Sequence, residues 1–157
     1  MLSKACGYAI RGIIYVALKG SEDHKIGIPE LADALKVPQH FMGKIMQNLV
    51  RRDILSSTKG PHGGFYTNED TLDTPIVEVV DAIDGLSAFH KCVLGLPDCN
   101  GEHPCPLHHE VVTYRDTVYE TLQTRTIRNL AADVENGLAV LNREPRSRRQ
   151  TGVGSDK

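Results

Sequence analysis

Twenty residues, KCVLGLPDCNGEHPCPLHHE at 91–110, hold three of the chain's four cysteines and three of its seven histidines. Thiolate and imidazole are the donors that bind zinc, copper and iron-sulfur centres. Cys92, Cys99, Cys105 and His108 are separated by six, five and two residues. A disulfide would use two of the thiols and strand the third. Zinc accepts three cysteines and a histidine, but structural zinc sites usually include two close pairs, and only Cys105 and His108 stand that near each other. The wider spacing suits a larger object, an iron-sulfur cluster, whose separate irons are held mainly through thiolates. Spacing therefore favours a cluster and leaves zinc open. His90, His103 and His109 lie near the set and read as ordinary polar loop residues, and Cys6, alone on an apolar helix face, reads as a small core residue.

A second group of residues suits a different partner. Between Lys36 and Gly64 stand five basic side chains and one acid, Asp53, in a chain whose net charge is −2. A basic segment inside a slightly acidic protein is expected where one surface meets an anion such as nucleic acid. Within it, VPQHFMGKIMQNLVRRDIL alternates an apolar stripe, Phe41, Met42, Ile45, Met46 and Leu49, with an opposite face of Gln39, His40, Gly43, Lys44, Gln47 and Arg51. All of that face except Gly43 can hydrogen-bond to a base edge or a phosphate.

The elements that must position these groups can be read from periodicity. Residues 3–19 repeat apolar side chains at the helical interval, with Ser3 to cap the start and Gly20 the end. IPELADALK is a short second helix with Pro29 in its first turn, and Pro38 opens the third. Two short helices joined by a tight turn, the second polar and basic outside, predict a helix-turn-helix. Ile54 to Thr58 and Phe65 to Thr67 flank the turn Lys59-Gly60-Pro61-His62-Gly63-Gly64, which predicts a β-hairpin wing. Thr74 and Gly85 bound a further helix expected to pack on the first. Leu107, Val111, Tyr114, Val118 and Leu122 then form the narrow apolar seam of a long helix, with Arg115, Asp116, Glu120 and Arg125 beside it, the pattern of a pairing helix in a dimer. Thr126 or Thr124 caps a last short helix, IRNLAADVENGLAVL.

The expected fold is mainly α: a winged helix-turn-helix domain with a two-stranded β wing (1–85), a Cys/His loop (86–106), a long dimerisation helix with a C-terminal helical segment (107–142), and a disordered tail (143–157). At 157 residues and 40% hydrophobic composition the chain can bury one core, and none of its apolar runs is long enough to span a bilayer. No apolar signal segment stands before Cys6 and Arg11 interrupts the stretch after it, so the cytoplasm is the expected compartment, where clustered thiols are metal ligands or redox groups more often than disulfides. HExxH, a CxxC pair and a phosphate-binding glycine loop are all missing, so an enzyme is not expected.

From about Leu2 to Leu130 the chain resembles the Rrf2 family of bacterial winged-helix transcription regulators. SKACGYAIRGIIYVAL is similar to the family's opening helix, FMGKIMQNLVRRDILSSTKGPHGGF to its recognition helix and wing, and PIVEVVDAIDG to its next helix. The three cysteines resemble the set of its IscR-like and NsrR-like iron-sulfur sensors. The resemblance implies a homodimer on a palindromic double-stranded DNA operator, a repressor that carries in each subunit a 2Fe–2S cluster, or as second choice a 4Fe–4S cluster, sensing cluster supply, iron, oxygen or nitric oxide. Cys92, Cys99 and Cys105 would be ligands, and His108 matches the non-cysteine ligand of IscR-like members. NsrR-like members draw an acidic ligand from the partner's first helix, where Gly7 stands here, which argues against their ligand set. Lys44, Gln47 and Arg51 would meet the major groove with Gln39 and His40 near the helix start, while Lys59 and Gly63-Gly64 would follow the backbone or minor groove. Gly43 replaces a glutamate with which IscR-like members choose operators, so the operator sequence does not transfer. The alternatives are a cluster-free member that senses through thiols or a protein partner, and a zinc-binding regulator.

Overall fold

Ser3 opens α1 (Lys4–Lys19) by accepting the Cys6 backbone N–H, and Gly20 closes it. The computed structural model describes residues 1–143, so the tail expectation lies, from residue 144 on, outside the described residues. Along α1 the residues Cys6, Ala9, Gly12, Ile13, Ile14 and Val16 are buried, the single face that the periodicity predicts. Gly12 lets the crossing helix approach closely there: a Cβ would come within 2.9 Å of Met46 Sδ, so the methionine side chain would have to shift.

α2 (Ile28–Leu35) carries Pro29 in its first turn and ends on Lys36 in the left-handed conformation, φ 55° and ψ 48°. That residue reverses the chain and drops Val37 into the core, where it is 5% exposed. α3 (Gln39–Arg51) follows and buries Met42, Ile45, Met46 and Leu49. Phe41 departs from the expected stripe: it is 54% exposed and stacks on the His40 ring with centroids 4.3 Å apart. It lies one step round the helix, beside the buried face and over the start of α1. Asp53, also at positive φ (58°), closes α3 as Ile54 N–H turns back to Leu49 O.

The wing pairs β1 (Ser56–Thr58) with β2 (Gly64–Tyr66), antiparallel, Ser57 opposite Phe65. The strands are shorter and slightly shifted from the predicted runs, because Ile54 and Leu55 plug the core before the hairpin begins. Ile26 adds a single bridge to Phe65, N–H to O in both directions, and so ties the wing to the loop before α2. A four-residue α4 (Glu69–Leu72), capped by the Asn68 side chain, was too short to show a period.

α5 (Ile76–Asp84) starts at Pro75 rather than at a Thr74 cap. Thr74 O instead accepts the Ile127 N–H, while Ile76 N–H donates to Arg125 O, so the start of α5 is stapled to the junction of the last two helices. Gly85, φ 69°, is the predicted stop. A 3₁₀ turn, Ser87–Phe89, buries Phe89 against Tyr119. After the Cys/His loop come α6 (His108–Thr124) and α7 (Ile127–Glu135), the latter opened by a capping box between Thr126 and Asn129. α7 stops six residues short of Leu141, where the predicted pattern ended.

α1 is the central element, with α7, α3 and α5 packed on it. α6 lies on α5 through Val118 and Leu122, so the lower half of its seam is spent within the chain. Leu107 and Tyr114, at the other end, remain 46% and 61% exposed. The described residues are thus mainly helical with one two-stranded wing, and no described helix is long and apolar enough to cross a membrane.

Candidate functional site

The loop between the 3₁₀ turn and α6 has no regular structure, and Gly95 (φ 75°) and Asp98 (φ 47°) turn it back on itself. That fold brings Cys92, Cys99, Cys105 and His108 around one cavity of about 300 Å³, together with Leu96, Pro97, Asp98, Asn100 and His103. All three thiols are free and half-buried. Cys99 Sγ stands 3.6 Å from His108 Nδ1. His108 is the first residue of α6, so one donor is fixed by a helix while the thiols ride on the loop.

The thiol of Cys92 is held below its ordinary range, first by the Leu96 and Leu94 backbone N–H groups, then by the Cys105 thiol and the Gly95 N–H, against the opposing cost of burial. A thiol in this condition yields the thiolate that soft metals bind. Cys6 is its opposite. It is fully buried in α1, and burial, with the Asp84 carboxylate second, pushes it up to about 12.

The donor chemistry and the shared cavity fit a group larger than a single ion. Among the described residues no three Cys, His, Asp or Glu side chains converge closely enough to hold one metal ion. Two residues of the site stand differently from what their sequence context suggests. His103, expected to be an ordinary polar loop residue, lines the cavity, and Arg115, expected to flank the α6 seam, is 7% exposed and turns inward. Arg115 Nη2 donates to Cys99 Sγ (3.4 Å) and Nη1 to Lys91 O. An arginine at two-turn spacing from His108 is the only signal that could have found it.

The anionic-partner residues lie on another face. Gln39, His40, Lys44, Gln47 and Arg51 are exposed along one side of α3, and Lys59 is exposed on the wing. Gly63 and Gly64 are half-buried beneath the tip, which consists of Lys59, Gly60, Pro61 and His62. A Cβ on Gly63 would lie 2.3 Å from Thr58 O, and one on Gly64 2.8 Å from Ile26 O, so the hairpin itself demands both glycines. Asn48, beside the exposed face, donates to Ala82 O and fastens α3 to α5.

A family model described as "Rrf2: Iron-dependent Transcriptional regulator" matches residues 2–133, which span α1 to α6 with the wing and reach into α7. The chain belongs to the Rrf2 family. Protein rrf2 of Nitratidesulfovibrio vulgaris is 26% identical over 133 residues, 80% of this chain and 83% of that protein. The HTH-type transcriptional regulator IscR of Escherichia coli is 23% identical over 150 residues, 93% of this chain and 91% of its own. Among solved structures, CymR, the global cysteine regulator of B. subtilis, matches with a TM-score of 0.67 over 84% of this chain and 96% of that one, at 15% identity, a likeness of fold. The winged helix-turn-helix expected from the sequence is therefore the Rrf2 fold, and the chain is a DNA-binding transcription regulator whose relatives are regulators rather than enzymes.

Proposed function

We propose that this Rrf2 regulator works as a cytoplasmic homodimer on a palindromic operator, and that an iron-sulfur cluster held by Cys92, Cys99, Cys105 and His108 controls its operator affinity. The observation that carries the reading is the single cavity shared by three thiols and the imidazole that begins α6. When bound, such a cluster supplies a redox-active and ligand-reactive centre. Cys92 and Cys99 hold the outer arm of the loop, while Cys105 and His108 hold the root of α6. Closing all four on one group fixes where α6 leaves the domain. The exposed upper seam, Leu107 and Tyr114, is the surface through which α6 would pair with its copy. Half-sites on DNA are about one helical turn apart, ~34 Å, so the relative placement of two α3 helices decides whether both reach the major groove.

On the operator, Lys44, Gln47 and Arg51 face the groove, with Gln39 and His40 at the helix start and Lys59 on the phosphate backbone. Gly63 and Gly64 shape the tip that carries Lys59.

Anaerobic purification followed by visible spectroscopy and iron and sulfide analysis tests the cofactor. The expected result is a coloured protein with matched iron and sulfide whose colour and signal-dependent operator binding are both lost when the three loop cysteines are replaced by serine. A colourless, iron-free protein with unaltered DNA binding in the triple variant would overturn it, and zinc alone would replace the cluster by a structural site.

A further inference from the structure

Arg115 is the one charged side chain buried among the described residues. None of the ion pairs among the described residues includes it, and its Nε has no hydrogen-bond partner. Burying a cation without a compensating anion costs several kcal/mol. The groups its two outer nitrogens do reach are a carbonyl oxygen, Lys91 O, and a sulfur, Cys99 Sγ. A neutral thiol is a weak acceptor. A thiolate, or a sulfur-ligated centre with net negative charge, is a strong one and supplies the missing charge.

We propose that Arg115 is the counter-charge for an anionic sulfur-bound centre at Cys99 and, through the same pair of bonds, the strut that transmits the state of the loop to α6. The proposal rests on the iron-sulfur reading above and assigns it a residue outside the ligand set. The guanidinium is a rigid planar fork, so Lys91 O and Cys99 Sγ are held at one spacing on the two sides of Cys92. Its anchor is on α6, roughly two turns from His108. The loop is therefore attached to that helix twice, once at its root and once through a side chain that only an anion fully satisfies. With the site filled, the buried cation is compensated and the first half of the loop is drawn onto α6. With it empty, the same two bonds persist but the cation is under-compensated, so the loop is held to α6 more weakly.

The test compares full-length wild type, Arg115→Lys and Arg115→Gln, each purified without oxygen. Three quantities are read: the rate at which a ferrous chelator bleaches the visible absorbance, the midpoint potential in a dithionite titration, and backbone hydrogen exchange of residues 91–105 in the metal-free protein. Arg115→Gln is expected to bleach about tenfold faster, the order of magnitude of one lost hydrogen bond to a charged group. Its potential moves negative, because the neighbouring cation that favours the added electron is gone. Arg115→Lys keeps the potential near that of wild type and exchanges the loop amides faster, since one ammonium does not span both acceptors; if Arg115→Gln does not fold, this variant carries the test. A coloured wild type with Arg115→Gln or Arg115→Lys unchanged in all three readouts overturns the proposal while leaving the cluster intact. A colourless wild type overturns the iron-sulfur reading and the counter-charge with it, and unchanged exchange in the metal-free variants overturns the strut separately.

Discussion

Two thiols on this chain are set to opposite uses by their surroundings. Cys92 sits under backbone N–H donors that favour its anion, whereas Cys6 lies in the packed face of α1, where burial favours the neutral form. Cys6 was legible from periodicity alone. For Cys6 the native state keeps its proton above pH 9.0 while the unfolded chain releases it, until the folded value of about 12 is reached. Its contribution is therefore complete below pH 9 and is lost as pH rises toward 12, by about 1.4 kcal/mol per pH unit. Urea midpoints at pH 8 and pH 10 should show the decline, and Cys6→Ala should flatten it. Arg115 and Phe41 show where reading by residue type fails. A charge on a helix is expected in water and an aromatic inside, yet both are reversed here, because a backbone oxygen and a sulfur stand over Arg115 and no element covers Phe41.

The helix-turn-helix was readable at the scale of elements because two prolines and two apolar stripes mark its helices, and its turn needs only the one left-handed residue, Lys36. The bridge from Ile26 to the wing was not readable, since a single paired residue leaves no pattern. That bridge makes Gly64 a packing residue: Gly64→Ala forces a Cβ onto backbone that cannot yield, and thermal or urea unfolding should record a loss of about 1–3 kcal/mol. Lys59 stands free on the tip above it. Lys59→Ala should leave stability unchanged and reduce the slope of log affinity against log salt by about one, as measured by DNA-binding titrations at several salt concentrations. Asn48→Ala should cost about 1 kcal/mol by urea unfolding, because it removes the hydrogen bond between α3 and α5.

At the scale of the whole molecule, the seam of α6 was read as a dimer surface along its full length, but the chain folds its lower half onto α5. Sequence spacing cannot distinguish an apolar residue that meets its own domain from one that meets a copy. In the proposed homodimer the upper half is what remains for pairing, so Tyr114→Glu should shift sedimentation toward the monomer and weaken operator binding at least tenfold, with the unfolding midpoint of the monomer unchanged. The backbone staple between Thr74–Ile76 and Arg125–Ile127 gives this arrangement its mechanics. It clamps the far end of α6 against the base of α5, while the near end is attached only through the loop. Above the packing of Val118 and Leu122, the stretch from His108 to Thr117 makes a free arm about 15 Å long. A swing of only about 10° about that packing carries His108 roughly 2.6 Å, a displacement close to a hydrogen bond's length, delivered to whatever grips the upper half of the helix.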